Sequence, residues 1–540
     1  MRRPRSGAVL VVAVLAFAAL DLVSCTASKT PNVESAATPT ELRIGVRQPS
    51  TLDPALRANP SDLLVARQIY EPLVGFDPQT GALLPRLATS WQVLNGGTAF
   101  RFHLRPDARF QDGVTVTASD VAFELNRLAR KDTNSSLAHL LKPVVGYDQV
   151  HGTGEATELA GVKVEDPRTL VITITQPWYE FPYVLADPST APIPAAKFQS
   201  DSAAFLRHPT GSGPYALASG SALPGDLVLE RSKHYWGPLP AVATVRFVSG
   251  GSPSAALGDL RAGRIDIGDV APDAMSQALR DFGSRGFTPL AAEISLGFNL
   301  TDPALKDPRL RRAVSMAVDR QAIGKKVYGD VLVPADGLIP RGLPGHTELA
   351  CADSCVHDPA GAKALVQQVS GTARPEIGYD YPRSGTNDAV AQELKSELDA
   401  AGITLVPRPH APIDFLSMLN ANSQQMFLLI WVADYPLADW FLAPLFSANS
   451  PDNHSGYNDP AVQSLIDAER SNGDTVPRLG LEKQIEQKVL ADLPVTPVGF
   501  FRNHYAAATR VQGFYVDVLG GFDVARLRLG AAEPLSTASS

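Results

Sequence analysis

The sequence predicts a mixed α/β (α+β) protein divided into several lobes, and three observations lead there. Its 540 residues exceed what one hydrophobic core organises, so the length calls for three or four domains or sub-lobes. Hydrophobic residues make up 44% of the chain and charged residues 19%, a globular balance rather than a disordered or fibrous one. Short alternating segments and capped helical segments follow one another without an internal repeat, which excludes a solenoid or propeller. The net charge of −8, with no basic stripe, argues against a nucleic-acid partner.

Arg2, Arg3 and Arg5 precede the apolar run from Ala8 to Leu20. That run is shorter than the roughly 20 residues needed to span a bilayer but suits the core of a secretory signal. It ends in Leu22-Val23-Ser24-Cys25, which resembles the lipobox of bacterial lipoproteins, with Asp21 departing from the usual apolar approach. Residues 1–24 are therefore expected to be a cleaved signal and Cys25 to be lipidated, holding the protein on the outer face of the cytoplasmic membrane. An ordinary signal peptide with an incidental Cys25 is the alternative. Residues 25–40 hold almost no large apolar side chain and read as a tether.

Leu42 to Val46 alternates as a half-buried strand, and Pro49 to Pro60 reads as loop. Phe100, Phe102 and Leu104 fall on one face of a second strand, followed by an Asp112-Gly113 turn. Thr117, with Asp120 three residues on, is expected to cap a helix that buries Val121, Leu125 and Leu128. Val171 to Thr175 forms another strand, ended by Pro177. Leu310, Ala313, Val314, Ala317 and Ile323 share helical spacing, with Arg309, Arg311, Arg312, Asp319 and Arg320 expected on a solvated face. Asp358-Pro359 and Asp459-Pro460 each place a capping carboxylate before a proline at the first helical position.

Beyond Cys25, the chain has only Cys351 and Cys355. Outside the cytoplasm such a pair oxidises to a disulfide; the alternative is a zinc site with His346 and Glu348. Nucleophile elbows, zinc-protease helices, phosphate loops and dinucleotide fingerprints are all missing from the sequence, and the ten histidines are scattered singly. A hydrolase using Asp434 and Asp439 as paired carboxylates remains an alternative.

A series of segments, in order over nearly the whole chain, resembles the extracytoplasmic solute-binding proteins of ABC importers in the peptide/nickel class. They are Ile69-Tyr70-Glu71-Pro72-Leu73, Leu87-Ala88-Thr89-Ser90-Trp91, Phe110-Gln111-Asp112-Gly113 with the capped helix from Thr117, and Pro209 to Tyr215. His234-Tyr235-Trp236-Gly237, Ala262 to Asp266, Phe298-Asn299, Asp307 to Arg320, Trp431 to Pro436 and Val511 to Phe514 complete the series. The resemblance implies a two-lobed clamp like that of the periplasmic binding proteins, with an additional sub-lobe and a discontinuous first lobe. Carried onto this chain, lobe I takes residues 41–80, 207–298 and 497–535, the sub-lobe 81–206 and lobe II 299–496. Such proteins are not enzymes, need no cofactor, act as monomers and deliver solute to permease and ATPase subunits.

The resemblance also implies a site. In peptide-binding relatives the Asp of the Trp-x-x-Asp segment takes the ligand's α-ammonium, which matches Asp434, with Trp431, Val432, Ala433 and Tyr435 around it. A buried zwitterion needs such an anion, because desolvation otherwise cancels the contact gains. The apolar run Met426 to Val432 is expected to be a strand that pairs edgewise with extended peptide. Arg383, Arg408 and Arg502 are candidates for the ligand carboxylate. Ile430 and Leu437 depart from the family pattern, which carries a small residue before the Trp and often an acid after Tyr-Pro. The same scaffold binds peptides, metal chelates, haem, opines and oligosaccharides, or serves as a sensor.

Overall fold

The computed structural model describes residues 41–531 apart from 352 and 353. The expected signal at 1–24, the tether at 25–40 and the lipid-bearing Cys25 lie outside the described residues.

Two six-stranded sheets and one four-stranded sheet carry the architecture. The first runs in the order Tyr505–Ala507, Ile267–Asp269, Glu41–Gly45, Thr244–Val248, Leu227–Arg231 and Tyr215–Leu217. Its centre is parallel, because Glu41–Gly45 pairs in parallel with strands on both sides. Leu42 and Ile44 are buried on one face there, the alternation expected of the first strand. Three stretches far apart in sequence supply this sheet.

The second sheet runs Leu332–Pro334, Val495–Arg502, Pro289–Phe298, Met426–Val432, Glu376–Pro382 and Thr404–His410. Pro289–Phe298 is buried without alternation from Ala291 onward, because both its faces are covered. The Phe427 ring lies against Gly297, where an added Cβ would sit 2.1 Å from the ring, so only glycine fits. The boundaries expected at 298 and 497 fall at the end of Pro289–Phe298 and inside Val495–Arg502, yet both strands pair within the second sheet. By strand pairing the chain passes between the two sheets at 283–288 and at 503–504.

The third sheet, Ala88–Leu94, Ala99–Leu104, Thr169–Thr173 and Val162–Asp166, is antiparallel and lies within the segment expected to form the sub-lobe. Phe100, Phe102 and Leu104 point into its core, as their alternation predicts. The strand expected across 171–175 begins earlier, at Thr169, and Ile174 continues it only as a bridge to Val144. The helix Ala118–Ala129 starts with the expected capping box: the Asp120 carboxylate accepts from the Thr117 amide at 2.9 Å while Thr117 Oγ1 accepts from the Asp120 amide. From that helix Arg127 reaches Asp53 at 2.6 Å and Glu124 at 2.8 Å, a buried pairing that ties the third sheet to the loop after the first strand.

The single helical pattern at 310–323 becomes two helices, Pro308–Ala317 and Arg320–Val327. Val318 is extended, and Asp319 starts the second helix by accepting from the Ala322 amide. The expected solvated face is also corrected. Arg311 and Arg320 are 5% and 4% exposed because each guanidinium donates to a set of main-chain carbonyls that water does not reach. Both Asp-Pro caps form, with Asp358 accepting from Gly361 and Asp459 from Ala461. Cys351 and Cys355 are joined as a disulfide, which removes the zinc alternative; His346 instead contacts the Ile339 carbonyl at 2.8 Å.

Candidate functional site

The site grows from an unfinished sheet. Met426–Val432 pairs with the strand Pro289–Phe298 over its whole length, but with Glu376–Pro382 only at Met426 and Phe427. Among the described residues no strand covers Leu428 to Val432 on that second side. The Ala433 amide donates to the Ala291 carbonyl at 2.8 Å, which sets the alternation of the ladder. By that alternation Trp431 and Leu429 bond inward, while Ile430 and Val432 turn their main-chain groups toward the open side. The Val432 carbonyl accepts from the Trp440 indole at 2.9 Å. That leaves the Ile430 amide and carbonyl and the Val432 amide facing space, beside side chains 44% and 54% exposed.

Two tryptophans stiffen the end of this strand. The Trp431 indole donates to the Trp440 carbonyl at 2.8 Å, and their rings stack with centroids 5.5 Å apart. Tyr435 is buried, its ring 4.8 Å from Trp440 and 5.4 Å from Trp178. Tyr435 and Leu437 join the core of the third sheet, so this loop spans from the second sheet to the third. Ala433 is buried as well. Of the five expected residues, Val432 is exposed, Trp431 and Asp434 are half-buried, and Ala433 and Tyr435 hold the loop in place.

Asp434 sits where the open edge ends. Its Oδ2 lies 2.6 Å from His139 Nε2, on the short helical turn Ala138–Leu141 that follows the capped helix. Sequence reasoning set His139 aside as an isolated histidine, and no local signal could have found it, since its partner is 295 positions away. Asp439, the other carboxylate of the hydrolase alternative, is held by Arg470 at 2.8 Å and is buried. Arg502 donates to the Phe287 carbonyl at 3.4 Å and Arg408 to Gln425 Oε1 at 3.5 Å. The Arg383 side chain is exposed and makes no hydrogen bond among the described residues.

Behind the loop lies a buried acidic cluster. Carboxylate oxygens of Glu180, Glu469 and Glu482 lie within 4.8 Å of one another, with Arg478 at 2.8 Å from Glu180. Burial, reinforced by the neighbouring acids, pushes Glu482 up to about 9 and Glu180 to about 7, and drives Glu469 up as well. A carboxyl that keeps its proton carries no charge for the dry surroundings to penalise, which is why the raised values suit this place. A cavity of about 300 Å³ lined by Tyr70, Glu71, Arg86, Tyr235, Tyr515 and Asp523 shares no lining residue with the Asp434 site. There Arg86 already faces Glu71 at 3.6 Å and Asp523 at 3.8 Å.

The profile of bacterial extracellular solute-binding proteins, family 5 Middle, matches residues 82–453. The periplasmic murein peptide-binding protein MppA of Escherichia coli K12 is 27% identical over 487 residues, covering 87% of this chain and 89% of its own. The glutathione-binding protein GsiB of Salmonella typhi is 26% identical over 505 residues, covering 89% and 93%. Among solved structures, the unliganded open form of MppA superposes with a TM-score of 0.79 at 22% identity, over 91% of this chain and 97% of that one. Haemophilus influenzae OppA in complex with RPPGFSPFR gives 0.68 at 21% identity, over 91% and 99%. With the fold of the two-lobed periplasmic binding proteins and a profile match over most of its length, the chain belongs to the family 5 bacterial extracellular solute-binding proteins of ABC importers, binding proteins rather than enzymes.

Proposed function

We propose that this protein is the lipid-anchored subunit of an ABC importer that captures peptides between its lobes and delivers them to the permease. The observation that carries the reading is the open edge from Leu428 to Val432 ending at Asp434. An extended ligand laid along that edge exchanges main-chain hydrogen bonds irrespective of its side chains, and its amino terminus meets a carboxylate. Relatives described as binding murein peptide and glutathione, and an OppA holding a nonapeptide, favour a peptide ligand here.

Lobe I, expected from the sequence at 41–80, 207–298 and 497–535, would end instead at the crossings near 283–288 and 503–504 that form the hinge, with the sub-lobe at 81–206 and lobe II, expected at 299–496, taking in the strands Pro289–Phe298 and Val495–Arg502. A ligand touching both sides stabilises the closed arrangement by its differential affinity. Cys25 would anchor the mature chain outside the cytoplasmic membrane as a monomer.

Calorimetry with Asp434→Ala tests the reading. A charge-assisted contact in a water-poor site contributes about 1.5–3 kcal/mol, so the substitution weakens peptide binding at least tenfold. N-acetylated peptides bind the wild type less well and lose little more in the variant. Equal affinity for free and acetylated peptides, with a folded variant, removes Asp434 from the site and points to a non-peptide solute. Loss of lipid labelling in Cys25→Ala tests the anchor.

A further inference from the structure

We infer that His139 is a specificity-determining residue of the solute site: its imidazolium competes with the ligand's ammonium for the Asp434 carboxylate. The site then selects free amino termini strongly only when His139 is neutral. The inference rests on the assignment of Asp434 as the ammonium anchor.

The two ring nitrogens carry the argument. His139 Nδ1 lies 2.8 Å from the Ser136 carbonyl and Nε2 lies 2.6 Å from Asp434 Oδ2. A carbonyl and a carboxylate only accept, whereas a neutral imidazole has one N–H to donate. Satisfying both contacts takes a second proton on the pair, whether it rests on Nε2 or on Asp434. With that proton the pair is neutral overall; without it the pair carries the full carboxylate charge.

The place suits a ligand as well as a proton. The side chains of His139 and Asp434 are 46% and 25% exposed, and Asp434 Oδ1 has no hydrogen-bond partner among the described residues. The pair adjoins the last unpaired main-chain groups of the open edge, and the Trp440 ring closes one side with its centroid 6.4 Å from the imidazole. An ammonium reaching Asp434 there must either displace the imidazolium or share an already neutralised carboxylate.

The charged groups around His139 favour its proton from both sides. Burial opposes the charge, but the Asp434 contact, the Ser136 carbonyl on its own segment and the charge of Asp452 outweigh it, so the pKa is raised above the ordinary histidine value. Below that raised value the proton holds the pair neutral. As pH rises through it the proton leaves, and Asp434 becomes available to an ammonium. Ligand binding in the transition region therefore releases a proton.

The test is calorimetry with trialanine and N-acetyl-trialanine at pH 5.5 and 7.5, on wild type and His139→Ala. Trialanine is expected to bind wild type at least fivefold tighter at pH 7.5, with proton release read from buffers of different ionisation enthalpy. The acetylated peptide shows no such change. In His139→Ala the affinity for trialanine is expected to be the same at both pH values and at least as high as that of wild type at pH 7.5. A preference for the free amine that is equal at both pH values and unaltered in His139→Ala overturns the role of His139 and leaves Asp434 as the anchor. Equal affinity for the two peptides in both proteins, or no binding of either, overturns the anchor and this inference with it. A folded His139→Ala is checked by its circular dichroism.

Discussion

Arg320 offers a sharp test of how the second sheet is held. Arg320 is 4% exposed, and although the Glu397 charge acts on it from beyond ion-pair distance, its guanidinium makes no hydrogen bond to a carboxylate among the described residues. It donates instead to the carbonyls of Pro497 at 2.7 Å, Ser315 at 3.0 Å, Val318 at 3.3 Å and Cys355 at 3.0 Å, and to the hydroxyls of Ser315 at 2.9 Å and Thr496 at 3.1 Å. One side chain thus ties the break between two helices to the Val495–Arg502 strand and to the disulfide loop. Burial lowers its pKa to about 10, so it stays charged at neutral pH. Arg320→Met keeps much of the volume and removes every donor. Each buried acceptor left without a partner costs about 1–3 kcal/mol, while relief of a desolvated charge offsets part of that, for a net loss of about 3 kcal/mol. Native-state hydrogen exchange reads the loss locally, which suits a chain of several lobes. Amides of Val495–Arg502 and Pro308–Ala317 are expected to exchange on the order of a hundredfold faster, since each 1.4 kcal/mol is about a factor of ten. Arg320→Lys, with three donors at a point rather than a planar fork, recovers part of the protection. Unchanged exchange in Arg320→Met, or Lys no better than Met, refutes the reasoning.

Gly297→Ala places a Cβ 2.1 Å from the Phe427 ring in the centre of the second sheet, and overpacking of this kind costs about 1–3 kcal/mol, so its thermal midpoint should drop; an unchanged midpoint contradicts the packing. The raised carboxyls of Glu180, Glu469 and Glu482 contribute stability that is complete below the ordinary value of 4.5 and is lost as pH rises through their folded-state values, about 7 for Glu180 and about 9 for Glu482. Thermal midpoints should therefore fall between pH 6 and 9 by more than in Glu469→Gln, a neutral isostere, and equal slopes in the two proteins count against a raised carboxyl at Glu469. Alkylation without reductant should leave Cys351 and Cys355 unlabelled by intact mass, with both labelled after reduction; labelling before reduction contradicts the bond.

Much of the fold was legible because its signals are contiguous. The Thr117–Asp120 capping box, the Asp358-Pro359 and Asp459-Pro460 starts and the alternation of Phe100, Phe102 and Leu104 each need only neighbouring residues, and each forms as expected. The ordered family segments predicted the two-lobed fold for a related reason, since every motif is a short stretch with its own turn or cap. Local reading failed where a partner lay elsewhere. Charge alone put Arg311 and Arg320 on a solvated face, yet distant carbonyls take them inside. Helical spacing ran through Val318, where Asp319 starts a new helix.

The same division runs through the candidate site. By itself the sequence determined that a hydrophobic strand leads into Trp431 and Asp434, because periodicity and motif both reside in that one segment. Only the tertiary structure decided that this strand is left open beyond Phe427, since openness depends on where Glu376–Pro382 stops pairing. It alone decided that Tyr435 belongs to the core of the third sheet and that His139 meets Asp434. A carboxylate's charge is written in its own residue, whereas what shares that charge is fixed by chain segments hundreds of positions apart brought together in packing.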